Sequence, residues 1–419
     1  MKEIKLIILL IFSFLINADN FISTSSGITE AKLENRVLIW SDIPYAQAPI
    51  GDLRWRAPRE IINLDANIQP KENNFCIQKT SSLGGSSQFS EKIISGTEDC
   101  LYLDIFAPKN SVDKKLPVMF WIHGGGNTSG LKDLYDFSKM VRKHKVIVVR
   151  INYRLGPFGW FTHPAIQELQ EGIDKTSNFG TLDIIAALGW VKKNISLFGG
   201  DTENVTIFGE SAGGHNVYSL IASKKAEGLF HKAIAMSGYT TSISPKEAYK
   251  QDKNSSTSDF SSIKVVNQLI GNYSKEETRE RLLNISAEEF FTIYANRESY
   301  QEIPLLTADN IVIPDIGLRK ALSKKALINN VPLVAGSNAD EVKLWLATAE
   351  YFVDLDYSIL GSFLEIPKVV LKDEDAFEAF NYYRSSAWKI RGADEPLNNL
   401  TKAGNEKLYA YKFDWDDHR

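Results

Sequence analysis

Residues Phe208-Gly209-Glu210-Ser211-Ala212-Gly213-Gly214 follow the apolar run Val205-Thr206-Ile207-Phe208 and lead into a segment of helical character. A chain that turns from strand to helix within a few residues needs neighbours without bulk on either side of the corner. Gly209 and Gly213 meet that need, and Ser211 stands between them. A serine at such a corner sits on a strained, exposed backbone with its hydroxyl free to attack. The first N–H groups of the new helix then point at any oxyanion that forms beside it. The Gly-x-Ser-x-Gly pattern alone is weak, because an ordinary turn also matches it, so its meaning depends on what surrounds it.

A second glycine-rich element lies upstream. His123-Gly124-Gly125-Gly126 directly follows the apolar run Leu116-Pro117-Val118-Met119-Phe120-Trp121-Ile122. A tight turn after a strand explains one glycine more easily than three. Three allow close approach of the backbone to a ligand, with N–H groups available as donors. Gly125 and Gly126, together with Ala212, are therefore the expected oxyanion hole, and losing one such donor typically raises a barrier by about 3 to 4 kcal/mol.

With these two elements the chain resembles the type-B carboxylesterase and cholinesterase-like family of α/β-hydrolases, and the resemblance covers most of the sequence. Ile43-Pro44-Tyr45-Ala46 with Pro49-Ile50-Gly51-Asp52-Leu53-Arg54-Trp55 is similar to the family's N-terminal signature, and Glu98-Asp99-Cys100-Leu101-Tyr102-Leu103 to its second. Asn152 to Gly159, Asn178 to Asp183 and Phe198-Gly199-Gly200-Asp201 follow in the family's order. The resemblance implies that Ser211 is the nucleophile and that Glu341, after the apolar run Val331 to Gly336, takes the place of the catalytic acid. Such an acid holds an imidazole in one tautomer and stabilises the imidazolium formed during attack. Asp340 is the alternative carboxylate, and Val342 stands where the family has glycine. The resemblance further implies buried ion pairs Arg54–Glu98 and Arg154–Asp183, and a disulfide between Cys76 and Cys100. In the chain-entropy model a loop of that size contributes ~3.5 kcal/mol. Two free buried cysteines are the other reading.

The triad order in this superfamily is serine, acid, histidine, and His418 is the only histidine after Glu341. It lies next to the C-terminus, without the His-Gly motif of the family. The expectation is a domain that is incomplete at its C-terminus and lacks the part carrying the family histidine, with His418 as a displaced base the lesser alternative. An inactive fragment, or a non-catalytic binding or adhesion relative of the same fold, is the rival to an active enzyme.

The chain has 419 residues, 43% of them hydrophobic, enough for a large core. Its net charge of −4, with no dense basic block, argues against nucleic acid as a partner. Lys2 and Lys5, then the apolar run Leu6 to Ile16 and small Ala18, read as a secretory signal over 1–18, leaving a carboxylesterase-type domain over 19–419. The run is short of the roughly 20 residues that span a bilayer, so no stable membrane anchor is expected after cleavage. A secreted or periplasmic location suits a chain with two cysteines and one bridge. No metal-ligand spacing is present and no cofactor is expected. Cholinesterases of the resembled family use a tryptophan in the loop corresponding to Cys76 to Cys100 to face a quaternary ammonium; this segment holds one aromatic residue, Phe89, and no tryptophan, so the resemblance implies neutral small-molecule esters rather than choline esters.

Apolar runs at 37–40, 101–106, 117–122, 146–151, 205–208, 232–236, 331–335 and 408–413 read as strands, with helical patterns such as 181–194 between many of them. That alternation implies an α/β fold with a mostly parallel central sheet covered by helices on both faces. The Ser-rich stretch 242–262 reads as a surface loop. Of seven Asn-x-Ser/Thr triplets, Asn127 lies beside the glycine loop, where a glycan would obstruct it.

Overall fold

The computed structural model describes residues 20–81, 93–249, 262–295, 306–346, 349–356 and 368–414. The signal-like segment, Phe89 and His418 lie outside them. Each apolar run expected as a strand belongs to one nine-stranded sheet, made of β1 (Lys32–Glu34), β2 (Val37–Pro44), β3 (Tyr102–Pro108), β4 (Leu116–Ile122), β5 (Ile147–Ile151), β6 (Gly200–Glu210), β7 (Lys232–Met236), β8 (Leu333–Asn338) and β9 (Leu408–Phe413). The order across the sheet is β9-β8-β7-β6-β4-β5-β3-β2-β1. From β5 to β9 every neighbouring pair is parallel, whereas β3, β2 and β1 join antiparallel at the other side.

Alternation along the strands sends successive side chains to opposite faces. On one face Phe120, Ile122, Val149, Ile151 and Ile207 share a core with residues of two helices. These are α2 (Phe179–Asn194) and α3 (Ala212–Ile221). On the other face Trp121, Val148 and Phe208 pack with Val141 of α1 (Ser138–His144). Helices therefore cover both faces, and strands buried on both sides read as continuous apolar runs.

A third cluster, dominated by Trp55, Phe158, Phe161 and Phe290, holds α4 (Ser262–Ile270), α5 (Lys275–Asn284) and α6 (Ala287–Ala295) beside the sheet. Arg54 ties this layer to the N-terminal segment: its Nη1 donates to the carbonyls of Leu282 and Ile285 at 2.9 and 2.8 Å. The same guanidinium makes a two-point pair with Glu98 at 2.7 and 2.6 Å, and Arg154 does likewise with Asp183 at 2.8 and 2.7 Å. Both expected ion pairs are thus present and buried. Cys76 and Cys100 are disulfide-bonded, with a Cα separation of 4.9 Å.

The stretch 242–262 departs from a simple surface loop at both ends. A short helix, Pro245–Tyr249, buries Ala248, and buried Ser262 opens α4. Residues 250–261 lie outside the described residues. Near the C-terminus, α7 (Glu374–Lys389) passes through a π-helical turn, Ile390–Asp394, into α8 (Glu395–Lys402), which precedes β9.

Candidate active site

The corner at Ser211 is built as its glycines suggest. β6 ends at Glu210, α3 begins at Ala212, and Ser211 between them has φ 56° and ψ −117°, a left-handed conformation that costs a side-chain-bearing residue free energy. A Cβ on Gly213 would lie 2.1 Å from the carbonyl oxygen of Ile122, and one on Gly209 would lie 2.5 Å from the Gly213 carbonyl carbon. The sharp turn therefore closes only with glycine at both places. The Ser211 N–H donates to the Met236 carbonyl at 2.8 Å, locking the corner to the neighbouring strand β7.

The glycine loop leaves the C-terminal end of β4 beside this corner. A Cβ on Gly124 would stand 3.3 Å from Ser211 Cβ, so the two elements are in contact there. Gly125, Gly126 and Asn127 follow with φ of 100°, 65° and 58°. The Gly125 carbonyl accepts from the N–H groups of Thr128 and Ser129 at 3.1 and 2.9 Å, which turns it inward. Among the described residues, the N–H groups of Gly125, Gly126 and Ala212 donate to no protein acceptor.

Past the C-terminal ends of β6 to β9 lies an open cleft, where ligands of open α/β sheets bind. Ser211 and Glu341 both line it, along with Glu210, Ser237, Trp388 and Phe413. Gly125, Gly126 and Ala212 are not part of that lining; Gly124 links their loop to the serine. Glu341 is held firmly. Its Oε1 accepts from Ser237 Oγ at 2.5 Å and from the Asn338 N–H at 2.7 Å. Ser237 itself has φ 50°, and its carbonyl accepts from Trp388 Nε1 at 3.0 Å. Asp340, the other carboxylate of this loop, is engaged elsewhere, accepting from Asn381 Nδ2 at 2.7 Å. Val342 needs no left-handed backbone. It is buried beside Leu346, Val353 and Phe377, and its N–H donates to Ser385 Oγ at 3.2 Å.

Ser237 was not legible as a site residue, although Met236-Ser237-Gly238 at the end of an apolar strand was a signal that could have drawn attention. Glu210 is the other addition. Burial, reinforced by the charge of Glu341, pushes its carboxyl up to about 7. Burial likewise raises Tyr411, with Glu341 and Glu210 adding to it, up to about 12.

Among the described residues no histidine lines this cleft. His123 and His215 are close in sequence to the glycine loop and the corner, but both are core groups. Burial pushes each down to about 4. His123 Nδ1 is bonded to the Gly124 carbonyl at 2.8 Å while its ring stacks on Tyr153, and His215 Nδ1 is bonded to the Tyr239 carbonyl at 2.9 Å. No group of three or more His, Cys, Asp or Glu side chains able to hold a metal ion occurs among the described residues.

Comparison with known proteins gives this geometry its context. A family model described as "Carboxylesterase family" matches residues 22–382. The para-nitrobenzyl esterase of Bacillus subtilis (strain 168) is 36% identical over 326 residues, covering 76% of this chain and 62% of that protein. Liver carboxylesterase 1F of Rattus norvegicus is 32% identical over 347 residues, covering 80% and 59%. The chain thus spans about three-fifths of the length of these curated relatives. Among solved structures, a thermophilic pNB esterase superposes with a TM-score of 0.75 at 29% identity, covering 96% of this chain and 80% of that one. A carboxylesterase of Geobacillus stearothermophilus does so with a TM-score of 0.75 at 26% identity, covering 96% and 81%.

Proposed function

Because the chain belongs to the carboxylesterase family, we propose that it serves as a serine carboxylic-ester hydrolase in which Ser211 attacks the ester carbonyl and an acyl-enzyme is released by water. The observation that carries this reading is the shared cleft: a serine on a strained strand-to-helix corner faces the same space as Glu341, whose carboxylate is fixed by Ser237 and Asn338. In this reading Glu341 orients an imidazole that takes the serine proton and returns it to the leaving alcohol. That imidazole would come from the chain after β9, either His418 or a residue of a longer form. The unpaired N–H groups of Gly125, Gly126 and Ala212 would bind the developing oxyanion. Neutral esters are the proposed substrates, and an oxidising compartment outside the cytoplasm suits the buried disulfide. Among the described residues no helix is long and apolar enough to cross a membrane.

The test is hydrolysis of short-chain p-nitrophenyl esters by the 419-residue chain and by a longer form carrying the C-terminal segment of the Bacillus subtilis relative. Each is compared with its Ser211→Ala and Glu341→Gln variants. The reading expects turnover that Ser211→Ala abolishes in the longer form. Strong turnover by the 419-residue chain that His418→Ala abolishes would move the base to His418. Turnover indifferent to Ser211 in both forms would overturn the proposal.

A further inference from the structure

We propose that Asn127 and Asn216 form a clamp that sets the glycine loop against the helix following Ser211, making them positioning residues for the oxyanion hole. The inference rests on the ester-hydrolase reading given above. It starts from a physical difficulty. Gly125 and Gly126 adopt left-handed backbone angles, and glycine is the residue with most conformational freedom to lose, so holding this loop in one shape takes bonds beyond those its own Thr128 and Ser129 make to the Gly125 carbonyl. Its N–H groups act as preorganised donors to the extent that the backbone is fixed.

Asn127 is the residue placed to do so. It is fully buried and, with φ 58°, continues the left-handed run, a conformation that asparagine tolerates better than most residues. Its carbonyl accepts from the Gly156 N–H at 2.7 Å. Its side-chain Oδ1 accepts from Asn216 Nδ2 at 2.8 Å and lies 3.3 Å from the Tyr153 hydroxyl oxygen. Asn216, also fully buried, sits on α3 five residues beyond Ser211. One hydrogen bond between side-chain amides therefore ties the loop that carries the donors to the helix that follows the nucleophile. Tyr153 completes the anchor, because its hydroxyl bonds the His123 carbonyl at 2.7 Å, at the start of the loop.

The polar atoms around the clamp are committed rather than incidental. Among the described residues, Asn127 Nδ2 and Asn216 Oδ1 are buried without a protein partner. Packing alone would place apolar side chains here more cheaply, since an unmade buried hydrogen bond is costly.

Amide hydrogen exchange, read by mass spectrometry over residues 124–130, tests the clamp without needing turnover. Asn216→Ala should speed exchange of this segment about tenfold or more while exchange in β6 stays as in the parent chain. Should Asn216→Ala not fold, Asn216→Ser, whose hydroxyl is too short to reach Asn127, asks the same question. In the longer form, Asn216→Ala should lower kcat for p-nitrophenyl esters about tenfold to a hundredfold with KM within about twofold. Unchanged loop exchange in Asn216→Ala or Asn216→Ser would overturn the clamp. Faster exchange with unchanged kcat would overturn its positioning role. Absence of Ser211-dependent turnover in the unsubstituted longer form would count against the ester reading alone, because exchange still reports on the clamp.

Discussion

Ser211, Ser237, Glu210 and Glu341 carry the account at the scale of single residues. Ser237 donates to Glu341 across 104 positions of sequence at 2.5 Å, so Ser237→Ala should loosen the acid and lower kcat of the longer form about tenfold while leaving the fold intact, as circular dichroism would check. Glu210 gives a pH signature. Its folded pKa of about 7 lies above the ordinary 4.5, so the folded protein holds this proton more tightly than the unfolded chain does. Its contribution to stability is fully present below about pH 4.5 and is lost as pH rises through about 7. Glu210→Gln should remove that loss, and because the buried histidines change stability in the opposite direction over the same range, denaturant titrations at pH 5 and pH 8 should differ more from one another in the variant than in the parent. An identical difference in both proteins would show that Glu210 titrates at its ordinary value. Ser211 was legible in sequence because two glycines and a preceding apolar run restrict what such a corner can be. Glu341 was legible only through the family resemblance, since nothing local separates it from Asp340. Ser237 was not, because its role depends on a partner brought near by the parallel pairing of β7 and β8.

At the scale of elements, the corner and the glycine loop are places where backbone meets backbone. Gly213→Ala would put a methyl group 2.1 Å from the Ile122 carbonyl oxygen, a clash with main chain that no rotamer relieves. The substitution should destabilise by about 1 to 3 kcal/mol, and more if the strand cannot shift. Gly189, in the middle of α2 with nothing within 4 Å of its would-be Cβ, supplies the opposite case. Gly189→Ala should stabilise by about 0.5 to 1 kcal/mol, because the helix gains a better former and meets no obstacle. Urea unfolding of the two variants should therefore move their midpoints in opposite directions. The strands were readable from apolar runs to within a few residues. Their order was not: that β3 lies between β5 and β2, antiparallel to both, is decided by long-range pairing that periodicity does not encode.

The whole molecule adds a dependence on pH that no single element shows. His123, His163 and His215 are all pushed down to about 4, each by burial, whereas in the unfolded chain they would take up protons near 6.5. A depressed histidine contributes stability that is present above about pH 6.5 and lost as pH falls through about 4. Glu210 acts in the opposite direction over part of that range, but three histidines outweigh one carboxyl. The protein should lose stability on acidification from pH 6.5 to pH 4, seen as a falling urea midpoint; a rising midpoint would refute the buried, neutral assignment of these rings. The two buried arginine pairs also act across the molecule, Arg154 joining Asp183 of α2 to the Arg56 carbonyl and Arg54 joining Glu98 to the carbonyls of Leu282 and Ile285. Arg154→Ala leaves Asp183 buried without its partner and should cost about 3 to 5 kcal/mol in equilibrium unfolding.

The central claim is that Ser211 is a nucleophile poised at the mouth of the cleft. Its most direct test is to mix the protein with excess p-nitrophenyl acetate, quench in acid and map the peptides by mass spectrometry. The account predicts one acetyl group on the peptide containing Ser211, absent from Ser211→Ala and diminished in Glu341→Gln. An unmodified Ser211 peptide in the longer form, or an acetyl group carried by another residue while p-nitrophenol is released, would contradict it.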